Sequence, residues 1–253
     1  MAQKEFRHGQ FTWRELLCPD PARARAFYGE LLGWSFEDMP MPSGPYTIAS
    51  LGARQIAGIW KMPPDAPFPP NWGGYVSVAS ADRAIQTATE LGATLLMPAQ
   101  SVEGVGRFAP LRDPTGAAFS VLEPSAPGDP APERPAGHDF CWESLSTTDV
   151  EKAKAFYGAV VGWKIDAAPS SGMPLFSAGA KQVADIQPAQ PGGHSAWLSH
   201  VLVEKLEPAR DRVVKLGGNV VVPVIDIEKV GRMTIVADPM GAVLSLFEPG
   251  PMM

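Results

Sequence analysis

The stretch FTWRELLCPDPARARAFYGELLGW, residues 11–34, occurs a second time as FCWESLSTTDVEKAKAFYGAVVGW, residues 140–163. The two copies lie 129 residues apart and are identical at 11 of 24 positions. Self-similarity at a fixed separation indicates a structural unit that is repeated within the chain. The sequence therefore predicts a protein that is built from two similar halves.

Each copy is predicted to be a strand followed by a capped helix. Asp20 stands at the N-cap, Pro21 at the first helical position and Gly33 at the C-cap, where a left-handed backbone is common. The apolar residues of both helices recur at i, i+3, i+4 and i+7, and we interpret them as core. They are Ala24, Phe27, Tyr28 and Leu31 in the first copy, and Ala153, Phe156, Tyr157 and Val160 in the second.

The rest of each half repeats the same order more weakly, at an offset of 125 residues after loops of unequal length. Two Asp-Pro-x-Gly segments, which begin at Asp113 and Asp238, have the composition of tight turns before a last strand. Each half is therefore predicted to be strand-helix-strand-strand-strand, twice. We predict an α+β fold with one domain over 8–123, a Pro/Gly/Ala-rich linker over 124–137 and a second domain over 138–249.

These motifs resemble the vicinal oxygen chelate superfamily, the group of glyoxalase I, bleomycin resistance proteins and extradiol dioxygenases. The resemblance rests on the capped helix ending FYG-x-x-x-GW and on the D-P-x-G turn before the last strand, and it covers nearly the whole chain. It implies four βαβββ modules that pair into two domains with curled, cup-shaped sheets. The resemblance is specific for the fold and does not define the reaction.

Composition excludes several other classes of protein. The formal net charge is −6 without a run of Lys or Arg, which argues against nucleic acid and anionic membranes as partners. No apolar stretch approaches the roughly 20 residues that span a bilayer. Cys18 and Cys141 are the two cysteines, and they show no metal-type spacing. We expect a cytoplasmic protein, as a monomer or a homodimer, whose partner is a small molecule.

Metal-using members of the superfamily place His or Glu at inward positions of particular strands. Spacing from the repeated motifs locates these positions here at Trp13 and Trp142, Ser120 and Ser245, about Gly73 and Leu198, and Gly58 and Asp185. An indole cannot ligate a metal, and Gly and Leu carry no ligand atom. We therefore expect no metal and no other cofactor. A divalent metal held by Asp185, Ser245 and the nearby His200 is the alternative.

Alternate residues of a strand share a face, so the residues beside these positions are predicted to line the cups. The predicted ligand-binding residues are Trp13, Glu15, Trp60, Tyr75 and Ser120 in the first half, and Trp142, Ser144, Asp185, His200 and Ser245 in the second. An apolar wall with indoles and a few polar groups is typical of small-molecule sites. The alternative is that the indoles plug the cups and the polar groups bond one another.

Three of these residues are candidates for catalysis. Glu15 is interpreted as a buried carboxylate with a raised pKa, which could act as a base or hold a cationic ligand. His200 and Asp185, grouped with Ser245, would suit general acid–base chemistry if they converge. Arg107 and Arg232 are expected to pair with Asp113 and Asp238, and Glu123 and Glu248 to face solvent.

Three functions remain open at this point. The first is a metal-free module that binds an apolar or aromatic small molecule, with a positively charged one as an option. The second is a lyase or dioxygenase-type enzyme with a non-standard metal or acid–base site. The third is a non-catalytic scaffold with filled cups, because one fold serves many functions.

Overall fold

The computed structural model describes residues 4–41, 44–129, 132, 135–168 and 172–250. The predicted α+β fold is confirmed, with two βαβββ modules in each half, except that four strands follow the helix in the second module of the first half. The first half comprises β1 Phe11–Cys18, α1 Pro21–Leu32, β2 Ser35–Met39, β3 Tyr46–Leu51, β4 Arg54–Lys61, β5 Asn71–Ser77, α2 Ala81–Glu90, β6 Thr94–Leu95, β7 Gln100–Val102, β8 Gly106–Arg112 and β9 Ala118–Pro124. The second comprises β10 Phe140–Thr147, α3 Val150–Val161, β11 Lys164–Ala167, β12 Pro174–Ala178, β13 Lys181–Pro188, β14 Ala196–Leu202, α4 Leu206–Lys215, β15 Asn219–Ile227, β16 Gly231–Ala237 and β17 Val243–Pro249.

Each half contributes one curled sheet. The strand order is β2-β3-β4-β1-β5-β9-β8-β6 in the first half, with β7 pairing to β8, and β11-β12-β13-β10-β14-β17-β16-β15 in the second. The first strand of each module runs parallel to its last strand, and the remaining strand pairs within a module are antiparallel. Residues 130, 131, 133 and 134 of the predicted linker lie outside the described residues.

The residues of the chain cluster into two compact units, and each unit takes one module from each half. The α2–α3 unit comprises Met1–Thr12, Gly73–Glu133 and Glu143–Trp197. The α1–α4 unit comprises Trp13–Trp72, Arg134–Trp142 and Leu198–Met253. Each unit has its own buried apolar cluster, so the core of each is assembled from two segments that are distant in sequence.

Local chemistry fixes the ends of the repeated helices as the sequence predicts. The Asp20 carboxylate accepts a hydrogen bond from the backbone N–H of Arg23 at 3.1 Å, and Asp149 does the same for Lys152 at 3.0 Å. Gly33 ends α1 with φ of 68°, a left-handed conformation that costs glycine little. These caps place the aromatic side of each helix against its own unit's core.

The α1–α4 unit contains a buried Trp–Tyr–Asp chain of hydrogen bonds. The Tyr28 hydroxyl donates to Asp238 Oδ2 at 3.1 Å and accepts from Trp72 Nε1 at 2.9 Å. Asp238 Oδ1 accepts the backbone N–H groups of Met240 and Ala242, which holds the Asp-Pro-x-Gly turn. Burial raises the pKa of Tyr28 well above its usual value, so the phenol stays neutral and remains the donor.

The α2–α3 unit repeats this chain with the other copies of the same motifs. The Tyr157 hydroxyl donates to Asp113 Oδ2 and accepts from Trp197 Nε1, both at 2.8 Å. Asp113 Oδ1 accepts the backbone N–H groups of the turn that follows it. Tyr157 is fully buried, and burial raises its pKa as it does that of Tyr28. The interpretation of the repeated tyrosines as core residues is confirmed, and the structure adds a polar contact that periodicity does not reveal.

The predicted ion pairs of the repeated arginines are wrong. Arg107 Nε donates to Asp82 at 2.9 Å, and Arg232 pairs with Glu207 and Glu248. The carboxylates of Asp113 and Asp238 instead accept hydrogen bonds from turn amides and tyrosine hydroxyls. These donors satisfy the carboxylate oxygens without a cation.

The prediction that Glu123 and Glu248 face solvent is also wrong. Both are half-buried, and each accepts a hydrogen bond from the first backbone N–H of a helix, that of Ala81 at 2.9 Å and that of Leu206 at 2.8 Å. A carboxylate at this position satisfies an otherwise unpaired donor and complements the helix dipole. None of the described helices is long and apolar enough to cross a membrane.

We predict that Tyr28→Phe and Tyr157→Phe each lower the free energy of unfolding by about 1–3 kcal/mol, because each leaves a buried carboxylate oxygen and an indole N–H without their partner. Urea unfolding followed by circular dichroism measures the change. Tyr46→Phe is the control, since that tyrosine is half-buried and water can replace its hydroxyl. A smaller loss for Tyr28→Phe than for Tyr46→Phe contradicts the prediction.

Candidate functional site

The ligand-binding residues predicted on the first strands form two corresponding pairs in the two halves. Glu15 on β1 lies opposite Gly58 on β4, and Ser144 on β10 lies opposite Asp185 on β13. Each pair therefore contains one carboxylate. The first strand, β1, supplies it in the first half, and the last strand of the module, β13, supplies it in the second. The two halves retain the acid at this position of the sheet while exchanging the strand that supplies it.

In the α1–α4 unit, Glu15 belongs to a chain of hydrogen bonds with two aromatic residues. Trp13 Nε1 donates to the Tyr46 hydroxyl at 3.0 Å, and this hydroxyl donates to Glu15 Oε2 at 2.8 Å. The Trp60 ring lies 5.7 Å from the Tyr46 ring, tilted by 47°. All four side chains are half-buried, so Glu15 is more accessible than the sequence analysis expects. We call Trp13, Glu15, Tyr46 and Trp60 the aromatic–acid cluster.

A glycine makes the aromatic–acid cluster possible. A Cβ atom at Gly58 would lie 1.8 Å from the Tyr46 hydroxyl oxygen, which is far inside van der Waals contact. The corresponding position in the second half is Asp185, so the phenol of Tyr46 occupies space that a side chain fills there. Sequence reasoning missed Tyr46, because an isolated tyrosine at the start of a strand carries no signal. The sequence signal that could have found it is Gly58 opposite Glu15, because a glycine within a strand indicates that another group approaches the backbone closely.

In the α2–α3 unit, the second carboxylate is buried. Ser144 Oγ donates to Asp185 Oδ1 at 2.5 Å, and both side chains are less than a tenth exposed. The same unit holds Tyr75 and Ser120, which are partners in the parallel β5–β9 register. The Tyr75 ring packs edge-on against Phe108 at 5.8 Å. The structure brings these predicted residues together as two buried pairs.

His200 and Ser245 are neighbours on β14 and β17 in the α1–α4 unit, and both are buried. Burial lowers the pKa of His200 to about 4, so its imidazole is neutral at physiological pH. Ser245 Oγ has no hydrogen-bond partner among the described residues. Trp142, the counterpart of Trp13, is half-buried in the same unit. A neutral histidine and a serine are residue types used in acid–base catalysis, but neither side chain is exposed to a substrate here.

The donor set of the first half does not fit the divalent metal that the superfamily implies. The Trp13 N–H is a hydrogen-bond donor to Tyr46, and Gly58 and Gly73 supply no side-chain atom. Ser120 alone of these positions carries an oxygen. Over the described ranges of the chain, no group of three or more His, Cys, Asp or Glu side chains is arranged to hold a metal ion.

Comparison with known proteins places the chain in a family. Residues 12–122 match the family described as a glyoxalase-like domain, and residues 140–179 match the bleomycin resistance protein-like N-terminal domain. The chain belongs to the vicinal oxygen chelate superfamily.

Individual relatives share the full length of the chain. CFP32 of Mycobacterium tuberculosis (strain CDC 1551 / Oshkosh), provisionally named a glyoxylase, is 31% identical over 98% of this chain and 98% of its own. The anthracycline biosynthesis protein DnrV of Streptomyces peucetius is 28% identical over 96% of this chain and 94% of its own. The 2,3-dioxygenase LapB of Pseudomonas sp. KL28 has a similar fold, with a TM-score of 0.63, 15% identity and coverage of 99% of this chain and 94% of its own.

We predict that acid destabilises the protein through His200. The unfolded chain binds a proton at a pKa near 6.5 and the folded chain only near 4, so stability is complete above pH 6.5 and falls as the pH drops toward 4. The expected loss between pH 8 and pH 5 is about 2 kcal/mol. Urea unfolding of His200→Gln at both pH values should show this difference removed, whereas His194→Gln, at an exposed histidine, should retain it. An equal pH dependence in both variants contradicts the assignment.

Proposed function

We propose that the protein binds a planar aromatic cation at the aromatic–acid cluster without using a metal. The observation that carries the proposal is the hydrogen-bonded chain from Trp13 through Tyr46 to Glu15, flanked by Trp60. The cluster offers three aromatic rings and one carboxylate, all half-buried, inside a single compact unit. An aromatic surface beside an acid is the chemistry that recognises a flat, positively charged molecule.

The energies of these contacts suit reversible binding. An aromatic pair contributes about 0.5–1.5 kcal/mol beyond burial, and a cation over an aromatic ring about 0.5–2 kcal/mol. The hydrogen bond from Tyr46 fixes one oxygen of Glu15, and the indole N–H fixes the phenol. This ordering is in place before the ligand arrives, which lowers the entropy cost of binding.

Two further observations support a metal-free binding module. The donor set at the superfamily's metal positions in this half is an indole, two glycines and a serine. DnrV, a relative of similar length, is named for the biosynthesis of anthracyclines, which are flat polycyclic aromatic compounds. By that likeness we infer a polycyclic aromatic ligand for this chain.

A second candidate function is a lyase that uses acid–base chemistry at the same cluster. The Tyr46 hydroxyl stands between an N–H donor and a carboxylate, an arrangement that can pass a proton to or from Glu15. The relative CFP32 carries a glyoxylase name. The test is whether the protein turns over the adduct of an α-ketoaldehyde with a thiol. Turnover by the parent protein that is lost in Glu15→Gln would favour this candidate over a binding module.

Quenching of tryptophan emission by 9-aminoacridine, a planar cation, tests the proposal against acridine, which has the same rings and is neutral at pH 8. We predict tighter binding of the cation, and a loss on the order of 10-fold in Glu15→Gln for the cation alone, equivalent to about 1.4 kcal/mol. The variant keeps an oxygen that accepts the Tyr46 hydrogen bond, so it removes charge with little change of shape.

Glu103→Gln is the matched control, because it removes the same charge from an exposed turn of the other unit. It should leave the affinity for 9-aminoacridine within twofold of the parent value. Equal affinities for the cation and the neutral compound, or equal effects of the two substitutions, would contradict the proposal.

A further inference from the structure

We propose a second binding site, for a small organic carboxylate with an apolar body, in a groove of the α2–α3 unit. The groove has a volume of about 570 Å³ and lies between the first turns of α2 and the last turn of α3. Its polar wall carries His8, Ser77 and Arg83, and its apolar wall carries Ala84 and Val160. The volume falls within the range of small-molecule sites.

Arg83 supplies the positive charge of the groove. Its backbone N–H donates to the hydroxyl of Ser80, the N-cap residue of α2. Its guanidinium forms no ion pair within the described part of the chain. The acids at this end of the helix have other contacts: Asp82 pairs with Arg107, and Glu123 accepts the Ala81 backbone N–H. Neither acid lines the groove. The guanidinium is therefore the group that a carboxylate would meet, and the helix terminus is already capped.

His8 forms the opposite end of the polar wall. Its Nδ1 lies 3.3 Å from the hydroxyl of Ser77, which is completely buried, and its ring stacks on Phe6 at 5.4 Å. These contacts hold the imidazole in place at the groove. Arg83 thus provides donors and His8 provides an imidazole at the polar wall, while Ala84 and Val160 offer carbon surface to the rest of a ligand.

The equivalent groove of the α1–α4 unit provides an internal comparison. Its lining includes the acids Glu30, Glu207 and Asp211 together with two cations, and Arg212 pairs with Glu30. At the repeat offsets of 129 and 125 residues, Glu30 corresponds to Ala159 and Arg212 to Thr87. The α1–α4 groove thus contains an ion pair and an excess of acids, whereas the α2–α3 groove lacks both members of that ion pair and keeps a cation.

This difference defines the class of ligand. A guanidinium binds a carboxylate through two parallel hydrogen bonds, which a neutral amide cannot reproduce. The small side chains at Ala84 and Ala159 leave room for a ring or a short branched chain beside that carboxylate. A monocarboxylate the size of benzoate matches both requirements.

Isothermal titration with benzoate, and with benzamide as its neutral isostere, tests this inference on the full chain. We expect benzoate to bind, benzamide to bind at least 10-fold more weakly, and Arg83→Gln to weaken benzoate binding by at least 10-fold. Arg23→Gln is the matched control, because Arg23 also donates its backbone N–H to the N-cap residue of a helix, and it lines neither groove. That control should stay within twofold.

Glu15→Gln separates this site from the aromatic–acid cluster and should leave benzoate binding unchanged. Four results would overturn the inference: no binding of benzoate, equal binding of benzamide, equal losses in Arg83→Gln and Arg23→Gln, or a loss in Glu15→Gln as large as that in Arg83→Gln. Circular dichroism of Arg83→Gln should match that of the parent protein, since the side chain is exposed.

Discussion

The hydrogen bond from a buried tyrosine to a turn aspartate is the constraint on which the rest of the structure depends. Tyr28 belongs to the helix of the first module and Asp238 to the last turn of the fourth. Tyr157 and Asp113 make the same contact between the third module and the second. A phenol and a carboxylate that are removed from water are costly unless they are paired, so each contact specifies which modules share a core.

This pairing explains which features the two repeats retain. Both copies of the helix motif keep the tyrosine, both last turns keep the aspartate, and the indoles that donate to the tyrosines, Trp72 and Trp197, are 125 residues apart. The side chains around the first strands, β1 and β10, are under no such constraint. There the two repeats have diverged, with an accessible aromatic–acid cluster around Glu15 in one and a buried Ser144–Asp185 pair in the other.

Much of the fold could be predicted because local rules determine it. Helix caps, apolar stripes and Asp-Pro-x-Gly turns act over a few residues, and all appear where the sequence places them. Contacts between side chains distant in sequence could not be predicted. The predicted partners of Arg107 and Arg232 were wrong because Asp113 and Asp238 already accept hydrogen bonds from turn amides and tyrosine hydroxyls. Tyr46 was missed because its importance comes from the space at Gly58 on another strand.

Contacts between distant strands also decide which residues of the site are accessible. Spacing placed Trp13 and Glu15 on one face correctly, since alternation along a strand is a local property. Burial depends on neighbouring strands, and Glu15 is half-buried while Asp185, its counterpart, is buried. His200 and Ser245 are neighbours in the observed β14–β17 register, but both side chains are buried and neither is exposed to a substrate.

Fluorine NMR of protein labelled with 5-fluorotryptophan tests the central claim most directly, because each of the seven tryptophans gives its own resonance. Resonances are assigned by single Trp→Phe substitutions, and the labelled protein is titrated with 9-aminoacridine. Binding at the aromatic–acid cluster shifts the resonances of Trp13 and Trp60 and leaves those of the buried Trp34, Trp72 and Trp163 in place. Unchanged resonances for Trp13 and Trp60, or shifts confined to Trp142, would contradict the account.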